Sequence, residues 1–73
     1  MTHVKFIKFS DGSILAWLVS IPLMDDMASC IYQNCGSIYM DLDMIYNEDF
    51  ATPEEYLPFL HELELMGYKV LPL

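Results

Sequence analysis

Two aspartates in the middle of the chain have the residue type and the spacing of a possible chemical site. Asp41 and Asp43 alternate with apolar residues between Met40 and Met44, and such alternation is typical of a β-strand with one wet face. Residues two apart on a strand point the same way, so the two carboxylates would lie ~6–7 Å apart. A carboxylate pair of this kind can bind a hard cation or divide the acid and base roles of a hydrolysis.

The neighbours of this pair favour neither chemistry. A hard cation such as Ca²⁺ needs more oxygen ligands than two, and Ile45 stands where a calcium loop would supply the next ligand. A carboxylic acid that must keep its proton has to be buried, whereas two carboxylates on an outer strand face should both ionise. We therefore interpret Asp41 and Asp43 as a recognition surface, and Tyr39 beside them as part of the same patch, since tyrosine is enriched at interfaces.

The cysteines and histidines form no convincing site either. On one helix Cys30 and Cys35 would point apart, so they could not form a disulfide. Zinc needs four ligands, and no spacing brings His3 and His61 into such a set. The segment His-Glu-Leu-Glu-Leu from His61 lacks the second histidine of a zinc-protease helix. The sequence predicts no enzyme, no metal site and no cofactor; a small enzyme or metal protein using Asp41, Asp43 and His61 remains the least favoured alternative.

The first element that must position these residues is an N-terminal β-hairpin. Residues 4–9 and 13–21 are rich in β-formers and flank Asp11-Gly12, which predicts a two-residue turn. Both sides of this ribbon are apolar, so we expect it to be covered on both faces. Counting outward from the turn places four residues together on one side: Phe6, Leu15, Trp17 and Val19.

Residues 24–35 have a helical pattern. Their apolar side chains recur with the spacing of one helical stripe, and Asp25 and Asp26 can cap its start. The competing interpretation is a strand over residues 29–33 followed by a turn at residues 34–36, because Cys, Ile and Tyr also suit strands.

A second helix has stronger start and stop signals. Thr52 can act as its N-cap, Pro53 suits its first position, and Glu55 completes a capping box. The apolar stripe continues to about residue 66, where Gly67 ends the helix. Residues 38–46 before it and residues 68–71 after it are predicted strands.

These elements predict one α+β domain over residues 1–73, in the order β-β-α-β-α-β. A mixed four-stranded sheet with both helices on one face would satisfy every connection. That arrangement leaves the other sheet face open.

The composition also predicts an apolar surface that a partner covers. The chain has 73 residues and is 55% hydrophobic, and a domain of this size cannot bury so many apolar side chains. A homodimer is the simplest cover, because symmetric pairs are the commonest oligomers. We expect Phe6, Leu15, Trp17 and Val19 to form this self-association surface.

The charge predicts the kind of foreign partner. The net charge is −8, and no Lys or Arg lies between residues 9 and 68. Such a field repels nucleic acid and anionic membranes and attracts a basic protein. No run is long and apolar enough to span a membrane, and no signal-peptide pattern precedes the first strand, so we expect a cytoplasmic protein with reduced thiols.

The function that fits best is a non-enzymatic, acidic protein-binding module. Small acidic inhibitors of phages and mobile elements, some of them mimics of nucleic acid, offer an analogy of size and charge. The alternative is a self-associating structural or regulatory homodimer whose acidity serves only solubility. The predicted partner-binding residues are Tyr39, Asp41, Asp43, Glu48, Asp49, Glu54 and Glu55.

Overall fold

Six strands and two helices form over residues 2–33 and 35–73, the residues that the computed structural model describes. The strands form one sheet, and a helix lies on each side of it. The bounds in chain order are β1 Thr2–Lys8, β2 Ile14–Leu18, β3 Met27–Tyr32, β4 Gly36–Asp41, α1 Leu42–Tyr46, β5 Asp49–Phe50, α2 Pro53–Leu65 and β6 Val70–Pro72.

The sheet is larger than the sequence predicts. Its strands follow the order β4-β3-β2-β1-β5, and β6 joins β1 on the same edge as β5. All neighbours run antiparallel except β6, which is parallel to β1. The predicted four-stranded sheet is therefore wrong, because a predicted helix is a strand and two further residues pair beside β1.

The N-terminal hairpin is present, but its register differs by one residue from the predicted one. Gly12 N–H donates to the Phe9 carbonyl at 2.9 Å, and Phe9 N–H donates to the Ser13 carbonyl at 2.9 Å, so the loop holds three residues. Only Gly12 has a positive φ there, at 88°, whereas a two-residue type I′ turn needs two such residues. Lys5 consequently pairs with Trp17, and Phe6 pairs with Ala16.

Residues 24–35 contain strand β3 and not the predicted helix. Asp25 and Asp26 have φ values of 53° and 61°, and Met24 and Met27 exchange two backbone hydrogen bonds around them. This is the geometry of a two-residue hairpin turn, so the aspartates turn the chain and do not cap a helix. Both faces of β3 carry apolar residues, which hides the alternation of a strand. The competing strand interpretation is closer to the structure, although Asn34 of its turn lies outside the described residues.

The strand predicted over residues 38–46 is interrupted in its middle. β4 ends at Asp41, and the five-residue helix α1 begins at Leu42. Asp43 lies in the first turn of α1, where a carboxylate is favourable beside the helix N-terminus. Asp41 and Asp43 therefore do not share a strand face, because the backbone changes direction between them.

The second predicted helix is confirmed as α2. Thr52 and Glu55 form the capping box, in which Thr52 N–H donates to Glu55 Oε1 at 2.9 Å. At the other end, Gly67 N–H donates to the Glu64 carbonyl and Tyr68 N–H to the Leu63 carbonyl, which is a Schellman motif. The left-handed φ of Gly67, 101°, makes this stop possible.

The two helices cover opposite faces of the sheet, and this corrects the prediction that both lie on one face. Phe59 and Leu63 of α2 pack on one set of alternate strand residues, which with them we call the α2-side core. Ile45 of α1 packs on the other set, the α1-side core. The α2-side core consists of Val4, Phe6, Ile14, Ala16, Leu18, Ile31, Phe59 and Leu63; the α1-side core consists of Ile7, Leu15, Ala28, Cys30, Met40 and Ile45.

Candidate interaction surfaces

The carboxylates dominate the surface of the described residues. None of the eleven is buried, and one ion pair is present there, between Lys8 and Glu55. Lys5, a second of the three lysines, faces aromatic rings at cation–π distance. Most of the negative charge is therefore uncompensated in the part of the chain that the structure describes.

Four predicted acidic residues and one aromatic residue lie around the start of α2. One open depression is lined by Glu48, Asp49, Phe50 and Glu55 together with Lys8. Asp49 also lies opposite Lys8 on the adjacent strand β1. Glu54 precedes Glu55 in the exposed first turn of α2. We call Glu48, Asp49, Phe50, Glu54 and Glu55 the β5–α2 patch. Lys8 leaves this region with a clear excess of negative charge.

Glu55 is the most strongly held carboxylate of this patch. Its hydrogen bond with the Lys8 ammonium, together with the Thr52 backbone N–H, lowers the pKa of Glu55 to about 2. The same contact with Glu55 raises the pKa of Lys8 above its ordinary value. Glu55 is therefore ionised at any physiological pH, and it fixes the end of β1 to the first turn of α2.

The other predicted partner-binding residues lie at the far edge of the sheet. Tyr39 and Asp41 are on β4, and the strand order separates β4 from β5 by three strands. Asp43 follows on α1. The structure thus divides the predicted acidic face into the β5–α2 patch and a smaller group around the end of β4.

The predicted self-association residues do not form one surface. Phe6 is buried in the α2-side core, and Leu15 is buried in the α1-side core on the opposite face. The one-residue shift of the hairpin register causes this separation, because it moves every β2 side chain to the other face relative to β1. Trp17 and Val19 remain half-buried.

Trp17 is instead the centre of an aromatic group on the α1 side of the sheet. Tyr46 of α1 meets it edge-on at 6.2 Å between ring centroids. Lys5 Nζ lies 5.7 Å from the Trp17 ring centroid and 5.4 Å from that of Phe50. The sequence did not identify Tyr46 or Phe50 as members of this group. For Phe50 a signal exists, because an aromatic residue that follows Glu48 and Asp49 directly is expected to be exposed.

An apolar groove lies on the α2 side, between the end of that helix and the outer strands. Ile31, Phe59, Leu65 and Met66 contribute to its walls, and Leu65 is 89% exposed. Nearby on the same sheet face, Met24, Met27 and Tyr39 border a second depression. Met66 belongs to the predicted apolar stripe of the helix but is 62% exposed, and Leu65 lies outside that stripe.

Neither thiol takes part in a disulfide. Cys30 is buried in the α1-side core, and burial raises its pKa to about 11. Cys35 is exposed in the connection before β4. Over residues 2–33 and 35–73, no three His, Cys, Asp or Glu side chains converge as they would around a metal ion.

No helix in the described residues combines the length and the apolarity needed to cross a membrane. Comparison of the chain with protein-family models, with curated proteins and with solved structures found no match. Function is therefore argued from the surface of this chain.

Proposed function

We propose that the chain is a non-enzymatic protein-binding module whose acidic surface binds a basic, nucleic-acid-binding protein and blocks its nucleic-acid site. The observation that carries this proposal is the uncompensated charge: one ion pair serves eleven unburied carboxylates in the described residues. Opposite charge accelerates the encounter with a basic partner and fixes its orientation. The proposal includes a cytoplasmic setting, where the two free thiols would stay reduced.

The β5–α2 patch is the docking site that we favour. It gathers four of the predicted acidic residues, and Phe50, which is 64% exposed, borders them from the α1 side of the sheet and adds an apolar contact there. Interfaces commonly combine an aromatic centre with a polar rim. The Lys8–Glu55 pair and the capping box hold the backbone of the patch, so its carboxylates need little ordering on binding.

A displacement experiment tests the proposal. Lysate proteins are bound to immobilised double-stranded DNA and then eluted with this protein at low ionic strength. We expect it to release a small set of basic proteins, and a triple variant, E48K with D49K and E54K, to release none of them. The matched control reverses three carboxylates elsewhere, D41K with D43K and E64K. Because each reversal adds two charge units, both triples change the net charge equally from −8.

The comparison separates local recognition from bulk charge. Release by the control but not by the patch triple supports the β5–α2 patch. Equal loss in both triples would mean that net charge alone acts, and release of nothing by the unaltered protein would refute the function. Circular dichroism of each variant verifies that it is folded.

A further inference from the structure

The outer edge of β4 carries a row of backbone groups with no partner in the described residues. β4 is the last strand at its end of the sheet, and its six residues pair without a bulge to β3 on the inner side only. We propose that a second copy of this chain pairs antiparallel with β4, which joins two sheets into one continuous sheet across a two-fold axis. This surface is separate from the β5–α2 patch and does not depend on the proposed function.

The hydrogen-bond phase of the sheet identifies the outward groups. Gln33 N–H donates to the Ile14 carbonyl, so the odd-numbered residues of β3 face β2 and the even-numbered ones face β4. On the other side, Leu42 N–H donates to the Asp26 carbonyl, so the even-numbered residues of β4 face β3. The outward groups are therefore the N–H and C=O of Ser37 and Tyr39 and the N–H of Asp41, whose C=O is already the N-cap carbonyl of α1.

These three residues favour one register. A two-fold axis between antiparallel edge strands runs perpendicular to the sheet, so each residue lies opposite a residue whose side chain points to the same face. With the axis at Tyr39, each tyrosine exchanges two hydrogen bonds with its counterpart, and the Asp41 N–H donates to the Ser37 carbonyl of the second copy. An axis at Ile38 would leave the Asp41 N–H unpaired and would place the two tyrosines out of step.

The side chains are compatible with this register. Asp41 lies opposite the Ser37 hydroxyl and not opposite a carboxylate, and the two Asp41 residues are ~14 Å apart along the strands. That separation exceeds a Debye length of about 8 Å at physiological ionic strength. Tyr39, which is 63% exposed, meets its counterpart on the α2 side, where cross-strand aromatic pairs are favourable.

The two edges of the sheet differ in how they are protected. The β1 edge is covered by two short strands, β5 with two residues and β6 with three, and β6 contains Pro72. Short strands, proline and inward charge are the usual devices against edge pairing. β4 has neither Pro nor Lys, and its one charge is at its end. The contrast points to a partner strand at β4.

Sedimentation velocity tests the proposal over a range of protein concentrations at low and high salt. We expect a reversible dimer of the 8.5 kDa chain that tightens as salt rises, because two copies of charge −8 repel each other. Tyr39→Pro removes the outward N–H and leaves the inward ladder to β3 intact, so it should weaken the dimer roughly tenfold or more. The matched control, Tyr39→Ala, keeps the N–H and should weaken it less.

Hydrogen exchange provides a readout that does not depend on the variants. The amides of Tyr39 and Asp41 should gain protection as the protein concentration rises, while the exposed amides of the β1–β2 loop should not. A monomer at all concentrations and both salts would overturn the proposal. A dimer that forms without protection of these two amides would also overturn it and would indicate pairing through the apolar groove or through the aromatic group at Trp17.

Discussion

Removal of the Ile45 side chain should show that α1, although only five residues long, is a structural element of the core. Ile45 is 2% exposed and is the residue of α1 that is buried in the α1-side core. A helix this short is not stable in water by itself, so its position depends on tertiary packing. Ile45→Ala removes three buried carbons, worth roughly 2.4 kcal/mol of transfer free energy at ~0.8 kcal/mol each. The cavity adds to this, and we expect about 3–4 kcal/mol in total.

That loss is a large part of the stability available. A domain of 73 residues has a free energy of unfolding of about 4–11 kcal/mol. The natural control is Met44→Ala on the same helix, because Met44 is 55% exposed and should cost less than about 0.5 kcal/mol. Ile45→Val removes one carbon and should cost about 0.5–1.5 kcal/mol, which keeps the test usable if Ile45→Ala does not fold.

Urea unfolding measures these differences with two probes. Circular dichroism follows the whole domain, and the fluorescence of Trp17, the single tryptophan, follows the docking of α1 through its contact with Tyr46. In Ile45→Ala the emission should already be red-shifted without urea. If Ile45→Ala costs no more than Met44→Ala, α1 is not packed on the sheet as described, and the assignment of the two helices to opposite faces is wrong.

Three further perturbations test local features. Because the pKa of Glu55 is lowered, its contribution to stability is present above the unfolded-state pKa near 4.5 and is lost as pH falls towards about 2. In urea titrations over this pH window, the unaltered protein should therefore lose more stability than Glu55→Gln does. Asp26→Gly should relieve a left-handed backbone, add about 1 kcal/mol to the free energy of unfolding and so raise the thermal midpoint. An unchanged or lower midpoint would contradict the turn at Asp25 and Asp26. Iodoacetamide should label the exposed Cys35 quickly and Cys30 only after denaturation, since burial raises the Cys30 pKa to about 11; equal labelling rates in the native protein, measured by mass spectrometry, would refute the burial of Cys30.

The features that the sequence predicts correctly are those whose causes are local. The limits of α2 follow from Thr52, Pro53 and Glu55 at one end and Gly67 at the other, and each of these acts on backbone groups within a few residues. The existence of the first hairpin is similarly local. Its register also has a local cause, which the Asp-Gly turn rule overlooks: Asp11 accepts hydrogen bonds from both the backbone N–H and the hydroxyl of Ser13, which favours a three-residue loop over a two-residue one.

The errors occur where residues are buried on both sides. Alternate residues of β3 enter the two cores, Ile31 on the α2 side and Cys30 on the α1 side. A strand of this kind has no polar face, so its apolar positions also match a helical stripe by chance. The alternation around Asp41 and Asp43 leads to the opposite error. It predicts a single strand, but it continues across the boundary between β4 and α1.

The arrangement of the acidic residues could not be predicted for a related reason. Sequence reasoning correctly expects carboxylates to lie on the surface, since burying an unpaired charge is prohibitive. Which of them share a surface depends on the order of the strands, and that order results from pairings between residues distant in the chain. β1, the first strand in the chain, lies inside the sheet because β2 pairs with one side of it and β5 and β6 with the other, while β4 is left at the edge. Asp41 and Asp49 are eight positions apart in sequence yet lie on opposite edges of the sheet, and for that reason partner binding at β5–α2 and self-pairing at β4 can be tested separately.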